Sequence, residues 1–174
     1  DKLYPCLGFD QYYAKDYYRD EDLLGRWGSS DEVLFQKALP VLKNFQAKGQ
    51  NFYASFITLS NHHPFILPDN KKHLTLPAGL DGTLIGNYLT SVNYEDYALG
   101  QFIRDLKANG LWNHSILVIF GDHFAISQTV ESQYADIFTR LLGRNHDLVD
   151  ALNIPLLIRV PGLKPQRIEN PGGQ

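Results

Sequence analysis

Three short stretches of this chain carry side chains able to do chemistry. The first is Gly121-Asp122-His123, directly behind the apolar run Ser115 to Phe120. A hard carboxylate oxygen beside a borderline imidazole nitrogen suits Zn, Mn or Fe. The second is Ser60-Asn61-His62-His63-Pro64-Phe65, behind the run Phe52 to Leu59. Two imidazoles share one polar turn there, and Pro64 biases His63 toward extended backbone. The third is Gly25-Arg26-Trp27-Gly28. A Trp between glycines, next to an Arg, can present a flat face and a forked cation, which suits a phosphate bearing an organic group. Each stretch has a plain alternative. Gly and Asp are ordinary punctuation at a strand end. Adjacent histidines are equally at home on a surface, and Trp27 also reads as the half-buried residue of a turn.

The elements that must position these groups are legible in the periodicities. Residues 115–120 and 52–59 are β-branched, aromatic and nearly continuous in hydrophobicity, which predicts buried strands of a parallel sheet. In open α/β sheets the ligand crevice lies beyond the carboxyl ends of the strands, where both histidine-bearing turns fall. Gly121 is read as the residue that lets the backbone turn. Ser29-Ser30-Asp31-Glu32 reads as a capping box with Ser29 or Ser30 as N-cap. The helix behind it runs to about Lys48, with Val33, Leu34, Ala38, Val41, Leu42 and Phe45 inward, Gly49 as terminator and a kink or division at Pro40. A longer helix is predicted from Leu84 to Asn109, with Ile85, Tyr88, Leu89, Val92, Leu99, Phe102, Ile103 and Leu106 on one face. Gly100 inside it costs about 1 kcal/mol relative to Ala, which suggests close packing against a sheet. A right-handed crossover through this helix would bring both strand ends to one sheet edge. A weaker helix is expected over Glu131–Leu142, and a third strand over Ile154–Val160. Residues 4–27 and 66–82 read as loops, with Lys71 and Lys72 solvated.

Composition bounds the reading. The 174 residues are 44% hydrophobic and 20% charged, a globular composition sufficient for one domain, 1–174. A net charge of −3 gives no basic surplus for nucleic acid. The single cysteine, Cys6, excludes an internal disulfide. No apolar run approaches the roughly 18 residues of a membrane span, and no signal peptide is visible. The absence of methionine and the character of both ends read as a chain cut from a longer one.

Taken in order, Trp27-Gly28, the turn Thr58 to Phe65, the helix segment Tyr94 to Ile103 with Asn109 to Asn113, then Gly121-Asp122-His123, then Ile154 to Ile158 with Val160-Pro161-Gly162, resemble a known catalytic domain. It is the extracellular domain of lipoteichoic acid synthases and related phosphoglycerol transferases, in the sulfatase-like branch of the alkaline phosphatase superfamily. The resemblance runs from about residue 8 to the end. It implies an α/β sulfatase-like sandwich with a mostly parallel central sheet flanked by helices, incomplete on the N-terminal side. It implies that Asp122 and His123 are two ligands of one divalent ion, Mn²⁺ in most of the family, with Mg²⁺ the alternative. It implies that His62 holds the phosphoglycerol head group, and that Trp27, with Arg26 beside it, lines the glycerol phosphate pocket. His63 sits at the variable place of the motif and is unassigned.

The implied chemistry is attack of a metal-activated threonine on phosphatidylglycerol, loss of diacylglycerol, and transfer of the glycerophosphoryl group to the end of a growing lipoteichoic acid. The nucleophilic threonine and a metal-binding glutamate of the family have no counterpart here, so this polypeptide is expected to be inactive alone. The partners implied are phosphatidylglycerol and the glycerol phosphate polymer, at the outer face of a bacterial membrane reached through an N-terminal anchor. An apolar sheet edge left uncovered would favour a homodimer. Three further readings stay open. They are another sulfatase-superfamily hydrolase, a phosphoethanolamine transferase, and a non-catalytic module that binds an envelope polymer.

Overall fold

The two strongest helical patterns form where the periodicity puts them. The structure, a computed structural model, describes residues 3–24, 28–126, 134–145, 150 and 154–168. It divides into two compact units, Asp1–Asn109 and Gly110–Gln174. Helix and sheet are mixed, as the α/β reading requires.

The first unit opens with a one-turn helix, α1 (Leu3–Cys6), and a two-residue antiparallel hairpin, β1 (Leu23–Leu24) with β2 (Gly28–Ser29). Helix α2 spans Asp31–Ala47 and ends at Gly49, whose φ of 64° is the left-handed conformation expected of a terminating glycine. It runs unbroken through Pro40, correcting the expected division. Gln36 and Pro40 are both exposed, so water can take the carbonyl that the missing N–H leaves unpaired.

Helix α3 spans Leu84–Ala108 and is capped by Thr83, whose hydroxyl accepts from the Gly86 N–H at 3.0 Å. Helices α2 and α3 pack through Phe35 and Phe102, stacked at 4.5 Å and 9°, with Phe56 edge-on to both. Phe35 was missing from the predicted inward face, although it is buried.

The buried stripe of α3 also differs from its purely apolar reading. It includes Thr90, Ser91 and Tyr94, while Val92 is 38% exposed. Polar groups are tolerated inside because they are paired. The Thr90 hydroxyl, for example, donates to the Gly86 carbonyl at 2.8 Å. Close packing falls on Gly86, not Gly100. A Cβ at Gly86 would lie 1.9 Å from the Leu80 carbonyl oxygen, whereas one at Gly100 would make only ordinary contact with Arg104.

Residues 52–59 correct a prediction. They form no ladder among the described residues, and 51–55 are exposed. Apolar and β-branched composition shows that a segment fits a pleated, half-buried surface, but a strand exists only with a partner. The crossover expected between this segment and the later strand therefore has no paired first strand among the described residues.

In the second unit, β3 (Leu117–Phe120) pairs with β4 (Leu156–Arg159), with Leu117 opposite Arg159 and Phe120 opposite Leu156. The pair is antiparallel, and β3 is only half covered, with Val118 and Phe120 exposed. Both points correct the reading of a buried parallel strand: among the described residues both ladders are antiparallel. Arg159 holds the start of β3. Its guanidinium lies 4.2 Å from the Trp112 ring centroid and donates to the Trp112 and Ser115 carbonyls. Helix α4 spans Ala135–Leu142 and ends at Gly143 in the left-handed conformation. The start of the helix predicted from Glu131 lies outside the described residues. No helix among the described residues is long and apolar enough to cross a membrane.

Candidate functional site

His62 sits in a tight turn of the first unit. The His62 N–H donates to the Leu59 carbonyl at 3.1 Å, and the Phe65 N–H returns to the His62 carbonyl at 2.8 Å. The His62 ring is set by Nδ1, 2.9 Å from the His63 carbonyl. A carbonyl only accepts, so Nδ1 carries the hydrogen. The His63–Pro64 peptide is cis. Phe65 has a φ of 62°, unusual for a bulky residue, and its ring is 2% exposed against Tyr88 at 5.2 Å. Burial of that ring offsets the backbone strain. His63 is exposed on the same turn, its ring 5.7 Å from Phe65.

Both helices hold this turn. Asp31, at the first position of α2, is completely buried. Its Oδ1 accepts from the Leu59 N–H at 2.9 Å and the Ser60 N–H at 3.2 Å, and its own N–H donates to Ser60 Oγ at 3.0 Å. Burial pushes the Asp31 carboxyl above its ordinary pKa, against the opposing pull of those N–H donors. The Thr58 hydroxyl donates to Glu95 of α3 at 2.9 Å. Ser91 Oγ lies 2.6 Å from the Asn61 side-chain amide and 2.8 Å from the Tyr88 carbonyl. One hydroxyl proton serves one of these contacts. With the Asn61 amide nitrogen facing Ser91, both are satisfied.

The capping box read from Ser29 to Glu32 is not formed. Ser30 is the N-cap by backbone, without a side-chain cap, and Glu32 turns away. Glu32 Oε2 accepts from the buried Tyr94 hydroxyl at 2.7 Å and from Lys71 at 2.8 Å. Lys71, expected to be solvated, therefore ties the 66–82 loop to both helices. Burial alone would raise the Glu32 pKa, but Lys71 and Tyr94 outweigh it and hold it below the ordinary value. Burial alone would lower that of Lys71, and the same two partners keep it raised.

Asp122 and His123 follow β3 in the second unit. Gly121 supplies close approach, since a Cβ there would come within 3.3 Å of Ile154; the positive φ expected of a sharp turn is absent. Its N–H donates to the Pro155 carbonyl at 3.2 Å. Asp122 Oδ1 and His123 Nε2 are 3.7 Å apart, on side chains 77% and 62% exposed. His123 Nδ1 is 2.7 Å from the Phe124 carbonyl. That bond assigns a hydrogen to Nδ1 and leaves Nε2 as the nitrogen turned toward the carboxylate. Metal-binding histidines are oriented in this way by a carbonyl on their other nitrogen. The two donors thus fit adjacent positions of one divalent ion. Among the described residues no third His, Cys, Asp or Glu joins them. Arg26 and Trp27 lie outside the described residues.

Asp31, Ser60 and Ser91 escaped sequence reasoning. Ser-Ser-Asp-Glu resembles a local cap, and nothing local reveals that its aspartate is bonded to residues 59 and 60.

The sulfatase family model matches residues 1–174. The lipoteichoic acid synthase-like protein YvgJ of Bacillus subtilis is 33% identical over 178 aligned positions, covering 100% of this chain and 28% of its own length. The lipoteichoic acid synthase of Staphylococcus aureus is 32% identical, covering 93% of this chain and 24% of its own. Among solved structures, the lipoteichoic acid synthase LtaP of Listeria monocytogenes superposes with a TM-score of 0.81 at 38% identity, over 97% of this chain and 40% of that one. An alkaline phosphatase superfamily protein of Vibrio parahaemolyticus superposes at 0.67 and 28% identity, over 91% and 34%. The chain thus spans about a quarter of the length of these curated relatives.

Proposed function

This chain belongs to the sulfatase family, on the lipoteichoic acid synthase-like branch of the alkaline phosphatase superfamily, and from that premise we propose that it is part of a metal-dependent phosphoglycerol transferase. The reaction moves glycerol phosphate from phosphatidylglycerol to a growing glycerol phosphate polymer, outside the bacterial membrane. The observation that carries the reading is the pairing of Asp122 Oδ1 with His123 Nε2 at 3.7 Å, the ring oriented through Nδ1.

Asp122 and His123 hold the divalent ion, Mn²⁺ first and Mg²⁺ second. When bound, such an ion supplies Lewis-acid charge to a phosphoryl oxygen and lowers the pKa of a coordinated hydroxyl. Two exposed donors make a weak site by themselves, so further ligands complete the shell. His62 binds the phosphoglycerol head group. With both ring nitrogens protonated it keeps Nδ1 on the His63 carbonyl and donates from Nε2 to a phosphoryl oxygen, where charge builds during transfer. Arg26 and Trp27 add a cation and an apolar face for the same head group.

The test is transfer from phosphatidylglycerol by the full-length protein, with bound metal measured alongside. Asp122→Ala and His123→Ala are expected to lose metal and activity together. His62→Ala is expected to keep its metal and lose about 10²-fold or more in kcat, as for removal of one oxyanion donor. Unchanged activity and metal content in the Asp122 and His123 variants would end the metal reading.

A further inference from the structure

Every residue from Thr58 to Asn61 is tied to a helix. Thr58 reaches Glu95, Leu59 and Ser60 are bonded to Asp31, and Asn61 meets Ser91. His62 is the next residue, and its own N–H closes the turn on Leu59. The Asp31 contact is the costly one. Its carboxyl is entirely buried, its Oδ1 takes both N–H donors, and its Oδ2 has no hydrogen-bond partner among the described residues. Leaving a buried carboxylate oxygen unpaired is expensive. Truncating Asp31 would strand the Leu59 and Ser60 N–H groups, so the contact serves the fold, and it also fixes the backbone from which the next residues project. What it achieves is a two-way clasp, Asp31 Oδ1 on the residue 59 and 60 N–H groups and Asp31 N–H on Ser60 Oγ.

We propose that Asp31 is a positioning residue for His62: clasped to Leu59 and Ser60, it fixes the turn from which His62 reaches the phosphoryl group of the donor. The proposal rests on the head-group role of His62 argued above. It also assigns Ser60 and Ser91 as supports of the same turn, acting through backbone and through Asn61. A displacement of about 1 Å in a binding group can cost about 10²-fold in rate, which makes such a clasp worth its expense.

The experiment compares variants in the full-length enzyme, assayed on phosphatidylglycerol vesicles, with metal content and folded fraction measured at the assay temperature. Asp31→Ala should lose about 30-fold or more in kcat, with metal content unchanged. Asp31→Asn should recover most of it, because the amide oxygen accepts the same two N–H bonds. The deciding readout is the double variant. Asp31→Ala in a His62→Ala background should cost nothing further, since residues acting as one unit are not additive. A loss from general destabilisation would multiply onto the His62 loss. If Asp31→Ala does not fold, Ser60→Ala and Ser91→Ala each remove one support while leaving the carboxylate, and they enter the same cycle. The proposal is overturned by multiplicative losses, by Asp31→Asn as impaired as Asp31→Ala, or by wild-type activity in Asp31→Ala. The two layers separate cleanly. A harmless His62→Ala sinks the head-group reading and this proposal with it; an impaired His62→Ala beside an unimpaired Asp31→Ala sinks this proposal alone.

Discussion

Tyr94→Phe removes one oxygen from the most closely tied polar cluster of the first unit, and the size of its effect can be worked from the contacts. The Tyr94 side chain is fully buried, and its hydroxyl donates to Glu32 Oε2 at 2.7 Å. Phenylalanine fills the same space, so no cavity term enters. A hydrogen bond to a charged group contributes about 1.5–3 kcal/mol. Lys71 still donates to the same oxygen at 2.8 Å, and the Glu32 and Lys71 side chains are 22% and 19% exposed, so the carboxylate is not orphaned. The expected loss therefore sits at the lower end, about 1.5 kcal/mol, or about 3–6 °C in melting temperature for a protein of this size. The sign with pH follows from the two partners. The Glu32 pKa is depressed in the folded state, so its contribution is complete above the ordinary carboxylate value and is lost as pH falls through the folded one. The Lys71 pKa is raised, so its contribution is complete below the ordinary lysine value and is lost only as pH rises through the folded one. Wild type and variant should thus differ most at neutral pH and converge as pH falls through the depressed folded value of Glu32. Denaturant unfolding followed by circular dichroism at several pH values reads this directly. A difference below about 0.3 kcal/mol at neutral pH, or one that does not shrink in acid, would refute the account of Glu32 as the shared acceptor.

Two further outcomes are expected. Gly86→Ala drives a Cβ into the Leu80 carbonyl at 1.9 Å, a backbone atom that cannot rotate aside; it should cost about 2–3 kcal/mol in thermal unfolding, whereas Gly100→Ala should be neutral or stabilising. The Asp22 carboxyl, held by the Arg19 N–H and then, against burial, by Lys37 and the Arg19 side chain, is pulled down to about 2, so its NMR titration midpoint should lie near there and rise in Lys37→Met.

Some of this molecule is local, and local physics can be read in order along the chain. Helices α2 and α3 follow from three-and-four spacing over many residues, and Gly49 from its place after the last periodic turn. The family is legible because Ser60 to Phe65 and Gly121 to His123 are contiguous and stand in a fixed order. The two-donor pair Asp122 and His123 needs only neighbouring residues and one carbonyl. What the tertiary structure alone decided is non-local. Phe52–Leu59 has strand composition, but pairing depends on a partner that composition does not name. β3 was expected to be buried and parallel, and its partner, β4, lies far along the chain and runs antiparallel to it. Lys71 and Tyr94 meet Glu32 from distant positions, and Asp31 looks like a helix cap until residues 59 and 60 arrive beside it. Periodicity reports which face a residue takes. It cannot report which oxygen accepts which N–H across the fold, because that depends on distances between segments that only packing sets.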